Sequence, residues 1–210
     1  MRSIASTRTP DNKGRRLVFI VPSTNPRDAR IGGGALIGEI CDWPVAPDGS
    51  PLLLVASIPG AFIGKHASVE LPPDIFISVF SYYSQDDYFL DQISYHGDQQ
   101  ELACIESGTT KVIMHARGQE IFQPDSIPAY RMDLSEDPVV DNDCGSYIGC
   151  GPSFLQNERL DLAGLQFALQ IRSSDFPEKY SDVFGLPDAT GYLYLGKSES
   201  RPGLFFAQVT

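Results

Sequence analysis

Chemistry-bearing side chains cluster most densely in DNDCGSYIGCGPSFLQ, Asp141 to Gln156, where Cys144 and Cys150 stand six positions apart beside Asp141 and Asp143. Structural zinc usually takes cysteine pairs two to four residues apart, because a tight knuckle points both thiolates into one tetrahedron. Here the gap is wider, and only Cys104 and His115 remain to complete a ligand set. A redox pair would need the C-x-x-C spacing that stabilises a thiolate, and that spacing is missing. Asp141-Asn142-Asp143 starts like a calcium loop, but no glutamate closes it at the twelfth position. The expectation is no metal and no cofactor, with Cys150, between Gly149 and Gly151, a small core thiol.

Other catalytic patterns are equally thin. There is no G-x-S-x-G elbow and no H-E-x-x-H, and His66, His96 and His115 have no serine or cysteine partner at a recognisable spacing. His115, near the end of an apolar run, reads as a packing residue, and His96, in a Gly-Asp turn, as exposed. The glycines of RIGGGALIG, Arg30 to Gly38, lack the Lys-Ser/Thr of a phosphate-binding loop. They read as a flexible turn, and Trp43 beyond them as a core or core-edge anchor. No catalytic residue is assigned.

Charge is more informative. The chain carries a net charge of −11, unevenly spread: residues 1–30 hold seven bases and two acids, residues 66–143 fifteen acids and three bases. An anionic middle repels phosphate backbones and attracts a basic protein, so direct nucleic-acid binding is not expected. Asp133, Glu136, Asp137, Asp141 and Asp143 place five acids in eleven residues of a segment bent by Pro138 and otherwise loop-like. Such a segment is either a solvated loop or a carboxylate patch for a partner's Lys and Arg. A second group, YYSQDDYFLDQISYHGD, mixes Tyr82, Tyr83, Tyr88, Phe89 and Tyr95 with Asp86, Asp87, Asp91 and Asp98. Rings supply anchor area and carboxylates supply register, which suits a protein interface; the competing reading packs half of the rings inward.

The elements that must hold these groups are mostly strands. Arg16–Ser23, Pro51–Ile58, Asp74–Tyr83, Thr109–Ala116, Leu165–Ile171, Gly191–Leu195 and Gly203–Thr210 are rich in β-branched and aromatic residues and bounded by Gly, Pro, Asp or Ser. In LQFALQI the apolar residues Leu165, Phe167, Leu169 and Ile171 alternate with Gln166, Ala168 and Gln170, predicting a sheet with one core face and one more polar face. PGAFIGKHASVE, YYSQDDYFLDQIS, DLAGLQ and SSDFPEKYSDVFG are weak, short helix candidates. The predicted fold is α+β and β-rich, with mostly antiparallel sheets and few short helices. GSPLLLVASIP…LPPDIFISVFSYY echoes LQFALQIRSSD…DATGYLYLGKS, so an internal duplication over about 31–125 and 126–210 is a further expectation.

Read in order, RIGGGALIGEICDWPVAPDGSPLLLVASI, LPPDIFISVFSYY, YIGCGPSFLQ, LQFALQIRSSDF and FGLPDATGYLYLGKS resemble the YwqG-like family of bacterial proteins over about residues 31–206. The chain has Ser57 where members usually carry Gln in this strand, and GLPDATG where they carry a tighter GDAG turn. The resemblance implies a single β-rich α+β domain over 31–210, or two fused halves, preceded by a basic arm and first strand in 1–30. It also implies a binding protein, of the kind that neutralises a bacterial toxin. The expected function is an immunity protein that holds a cognate, basic toxin effector, for instance a nuclease, through an acidic surface. The partner-binding residues expected are Asp86, Asp87, Asp91, Asp133, Glu136, Asp137, Asp141 and Asp143, with Tyr82, Tyr83 and Tyr88 as anchors. The rival readings are a hydrolase using His115 or His96 in a cleft between the halves, and an interaction scaffold without a toxin. With no apolar leader and no membrane-length apolar run, the expected location is the cytoplasm, with thiols reduced.

Overall fold

The structure, a computed structural model, describes residues 14–67, 69–140, 143–156, 159–198 and 201–210. Its strands are β1 (Arg15–Val18), β2 (Arg30–Ile31), β3 (Ala35–Gly38), β4 (Leu53–Pro59), β5 (Phe76–Ser81), β6 (Thr110–His115) and β7 (Gln119–Ile121). They continue with β8 (Tyr130–Arg131), β9 (Asp133–Pro138), β10 (Tyr147–Ile148), β11 (Leu165–Arg172), β12 (Thr190–Ser198) and β13 (Arg201–Gln208). The helices are short: α1 (Gly60–His66), α2 (Leu90–Ile93) and α3 (Gln99–Cys104), the last running into a π-helical turn at Ile105–Thr109. A six-stranded sheet has the order β13-β12-β11-β10-β1-β9, a five-stranded sheet the order β6-β5-β4-β2-β8, and β3 and β7 form a separate ribbon. Pairing within all three is antiparallel. The α+β, β-rich architecture follows the sequence reading.

Both faces of the six-stranded sheet are covered, which corrects the expectation of one polar face. Leu169, Leu193 and Phe205 join Ala56, Ile77 and Val112 of the five-stranded sheet in the main core. Tyr192, Tyr194 and Phe206 look the other way, onto Tyr95, Leu102 and Ile105. The alternation in LQFALQI is broken by a bulge between Phe167 and Leu169. The extra residue switches the side of the strand that follows, so Leu165 and Phe167 pack with the tyrosines while Leu169 and Ile171 enter the main core. A third cluster covers the outer side of the five-stranded sheet, where Leu54 and Phe80 meet Ala35, Ile37 and half-buried Trp43.

Four strands have the same order in both sheets: β2-β4-β5-β6 in one and β10-β11-β12-β13 in the other. Each series opens with Ile-Gly-x-Gly, Ile31 to Gly34 and Ile148 to Gly151, where Gly32 and Gly149 take positive φ of 60° and 96° to turn the chain. β6 and β13 lie side by side where the sheets meet. Thr110 donates its hydroxyl to the Phe205 carbonyl (2.6 Å), and Gly203 comes so close to Val112 that an added Cβ would stand 2.7 Å from its Cγ1. Each sheet also takes strands from outside its own series, β1 and then β9 beyond β10 in one and β8 beside β2 in the other. The N-terminal strand is thus internal to the six-stranded sheet, and boundaries at 30 or 125 cut across both sheets.

Among the helix candidates, PGAFIGKHASVE supplies α1 and YYSQDDYFLDQIS contains α2. SSDFPEKYSDVFG forms only the 3-10 turns Ser173–Asp175 and Glu178–Tyr180. DLAGLQ is a turn that leads into β11, with Gly164 at a φ of 77°. α3 was not expected, although Asp98 caps it by accepting the Gln100 and Glu101 amides.

Candidate partner-binding surface

Folding cancels part of the charge asymmetry seen along the chain. Arg16 of β1 pairs with Asp143, and buried Arg30 of β2 pairs with Glu120 of β7, joining the basic start to the acidic middle across 127 and 90 positions. Asp143 is only 8% exposed and its other oxygen accepts the Gly145 amide, so it departs from the expectation of a surface carboxylate. Asp141 lies outside the described residues.

The acids at 133–138 form β9, not a loop, which corrects the reading drawn from Pro138. β9 is the outer strand of its sheet, with Glu136, Asp137 and Pro138 exposed. Charges and proline on an edge strand discourage pairing with another chain, which gives these residues a structural role of their own. Asp133 is held by a fork from Arg131, at 2.7 and 3.1 Å.

The second group occupies the connection from β5 to α2. The Ser84 hydroxyl accepts the Asp86 and Asp87 amides (3.3 and 3.0 Å), folding the loop so that both carboxylates face solvent. Tyr88 is 72% exposed, with its hydroxyl donated to Asp91 (3.1 Å). Tyr82 and Tyr83 are half-buried and meet Phe89 at 6.1 and 5.6 Å between ring centroids. Phe89 and Tyr95 are buried, so the rings divide between core and surface. The Asp86–Asp91 loop and the β9 edge are separate elements, and the expected acids do not form one contiguous segment.

A groove of about 280 Å³ opens beside Tyr83, lined also by Trp43, Leu52 to Leu54, Gln85 and Gln123 to Ser126. Trp43 is fixed edge-on to Phe80 (5.4 Å) by a hydrogen bond from its indole nitrogen to the Leu52 carbonyl (2.9 Å). Tyr83 leans on Tyr180, whose hydroxyl donates to the Asp125 carbonyl (3.0 Å). Burial, and secondarily the charge of Asp182, pushes the Tyr83 hydroxyl above its ordinary pKa. Asp125 and Asp182 were not singled out in the sequence, and Trp43 was read only as a core anchor.

Of the groups weighed for catalysis, His115 is buried as its packing reading expects. His115 does have a serine partner: Ser78 Oγ lies 2.9 Å from His115 Nε2, while Nδ1 donates to the Ala116 carbonyl (2.7 Å). That tautomer leaves Nε2 to accept the serine proton. The pair is closed from solvent, with Ser78 at 0% and His115 at 6% exposure, and burial lowers the His115 pKa. His96 is half-buried, not exposed, and its Nδ1 lies 3.0 Å from Glu101. Cys150 faces Gly14 so tightly that a Cβ there would stand 2.2 Å from its Sγ, and burial raises its pKa. Among the described residues no three His, Cys, Asp or Glu side chains converge as a metal set, and no helix is long and apolar enough to cross a membrane.

Compared with known proteins, the chain matches no protein-family model and no curated protein.

Proposed function

We propose that the chain is a binding protein of the immunity type, which holds a basic toxin effector through its acidic, ring-bearing surface and thereby neutralises it. The observation that carries this reading is the β5–α2 loop, where exposed Asp86 and Asp87 directly precede the exposed Tyr88, whose hydroxyl is bonded to Asp91 at the start of α2. An exposed tyrosine tied to a carboxylate offers a partner anchor area and a charge-assisted acceptor together. The net charge of −11 adds long-range attraction for a cationic surface, worth roughly 10 to 10³-fold in association rate. The resemblance to the YwqG-like family points the same way. A nuclease partner would expose an electropositive groove that such a surface competes for.

The test is capture from the native cell followed by charge reversal. A basic protein should co-purify, release as salt rises, and bind more weakly once Asp86→Lys and Asp87→Lys are combined; co-expression with that protein should rescue growth. Unchanged affinity and salt dependence in the double variant would remove this loop from the interface. Turnover of a small substrate that depends on His115 or His96 would instead favour the hydrolase reading.

A further inference from the structure

We infer that the groove between Trp43 and Tyr83 takes a cationic side chain, an arginine or lysine presented by the protein partner. This deepens the binding reading above and rests on it. Four features select that occupant. At about 280 Å³ the groove lies just below the usual range for small-molecule sites, roughly 300 to 1,000 Å³, a size that suits a single side chain better than a whole small molecule. Two of its lining residues, Trp43 and Tyr83, are aromatic, and both are held by neighbours: Trp43 by Leu52 and Phe80, Tyr83 by Phe89 and Tyr180. Rings fixed before binding lose little freedom on receiving a cation.

The local charge has the matching sign. Asp125 belongs to the lining and is exposed, and exposed Asp182 acts electrostatically on Tyr83. Asp48 accepts the Tyr82 hydroxyl at 3.3 Å on the neighbouring side. Among the described residues neither Asp125 nor Asp182 is ion-paired. The nearby Lys179 is already engaged, its Nζ standing 5.3 Å from the centre of the Tyr180 ring. That contact is an internal example of a cation on a ring, the one against which Tyr83 packs.

Asp125 also sits at a φ of 62°, a left-handed conformation uncommon outside glycine, with its carbonyl bonded to Tyr180. The turn Gln123 to Ser126 is thereby held in place in the lining of the groove. A partner arginine entering here would lie over an aromatic face with its guanidinium within reach of carboxylates, an arrangement that favours Arg over Lys through its planar, weakly hydrated head.

Trp43 is the sole tryptophan of the chain, so emission excited at the red edge, where the tyrosines do not absorb, comes from a residue that lines this groove. The full chain is titrated with an acetylated tetra-arginine amide, with a tetra-glutamine amide as the uncharged control. A saturable change in Trp43 emission with the arginine peptide only is expected, weakened by salt. Combining Asp125→Asn with Asp182→Asn should weaken it about tenfold, as loss of about 1.4 kcal/mol requires. Asparagine also accepts the left-handed conformation, so the turn is retained in that variant. Binding seen by calorimetry without any Trp43 response overturns the groove as the site while leaving the β5–α2 loop as the binding surface. A Trp43 response that the two asparagine substitutions do not weaken also overturns it. Failure of the arginine peptide to bind at all removes the groove and leaves capture of the basic partner as the separate test of the function.

Discussion

Replacing Gln170 by alanine removes three hydrogen bonds from one buried amide. Its Nε2 donates to the carbonyls of Asp143 (3.2 Å) and Gly145 (2.9 Å), and its Oε1 accepts the Ser153 amide (3.0 Å). The side chain thus ties the loop on both sides of β10 to the middle of the six-stranded sheet. Each bond contributes about 1 kcal/mol net, and the one lost methylene about 0.8 kcal/mol. The sum is about 4 kcal/mol, a large share of the roughly 5 to 15 kcal/mol that holds a domain together. Urea unfolding followed by circular dichroism should show the midpoint falling strongly with an unchanged slope. Gln170→Glu keeps the shape and one acceptor but removes the amide donors, so it should be comparably destabilising. A loss below about 1 kcal/mol in Gln170→Ala would refute the latch, because the stranded carbonyls alone should cost more than that.

Ser57 stands at the corresponding place in the five-stranded sheet, but its hydroxyl is buried with no hydrogen-bond partner among the described residues, so Ser57→Ala should be neutral or stabilising by up to about 1 kcal/mol in the same urea assay. The depressed His115 pKa, caused by burial, means that the unfolded chain binds a proton the native protein refuses. Stability contributed by neutral His115 is present above the unfolded value of about 6.5 and declines as pH falls below it. His66 is shifted the same way, by burial and then by Lys65 and Arg15, so the urea midpoint should drop between neutral pH and about pH 5.5, and His115→Gln should shrink that drop. Gly203→Ala would drive a methyl to 2.6 Å from the Tyr194 carbonyl and 2.7 Å from Val112, costing about 1 to 3 kcal/mol at the meeting of the two sheets, read from the thermal midpoint.

The long strands were legible because each repeats β-branched or aromatic residues over five or more positions, enough for a period of two to stand out. β2 and β10 were not, since Arg30–Ile31 and Tyr147–Ile148 are two residues each and have no period to read. Their shared Ile-Gly-x-Gly string was nevertheless in plain view and would have located both. β9 was missed for a different reason. Its Glu136 and Asp137 argue against a strand by propensity, yet at an outer edge those charges are favoured because they block further pairing. The bulge in β11 shows the limit of alternation itself, because one extra residue reassigns every side chain beyond it, and only the partner strand reveals where that residue falls.

Charge was harder to read than periodicity because it is paid no attention by local rules: whether an acid is free depends on what folds against it. Asp143 and Glu120 looked like their exposed neighbours in sequence until Arg16 and Arg30 arrived from the far end of the chain. Among the described residues, Asp86, Asp87, Glu136 and Asp137 meet no such arginine and stay at the surface. The aromatic groove is less legible still, since Trp43, Leu52 to Leu54, Tyr83 and Gln123 to Ser126 come from four separate segments. Each segment alone reads as an ordinary strand end or turn. Their convergence is set by the register of β4 against β5, which puts Leu53 opposite Ser81 and so brings Tyr83 to the side of the sheet end where Trp43 is pinned. A cation-binding groove built this way has no spacing signature, and its recognition depends on knowing which strands pair.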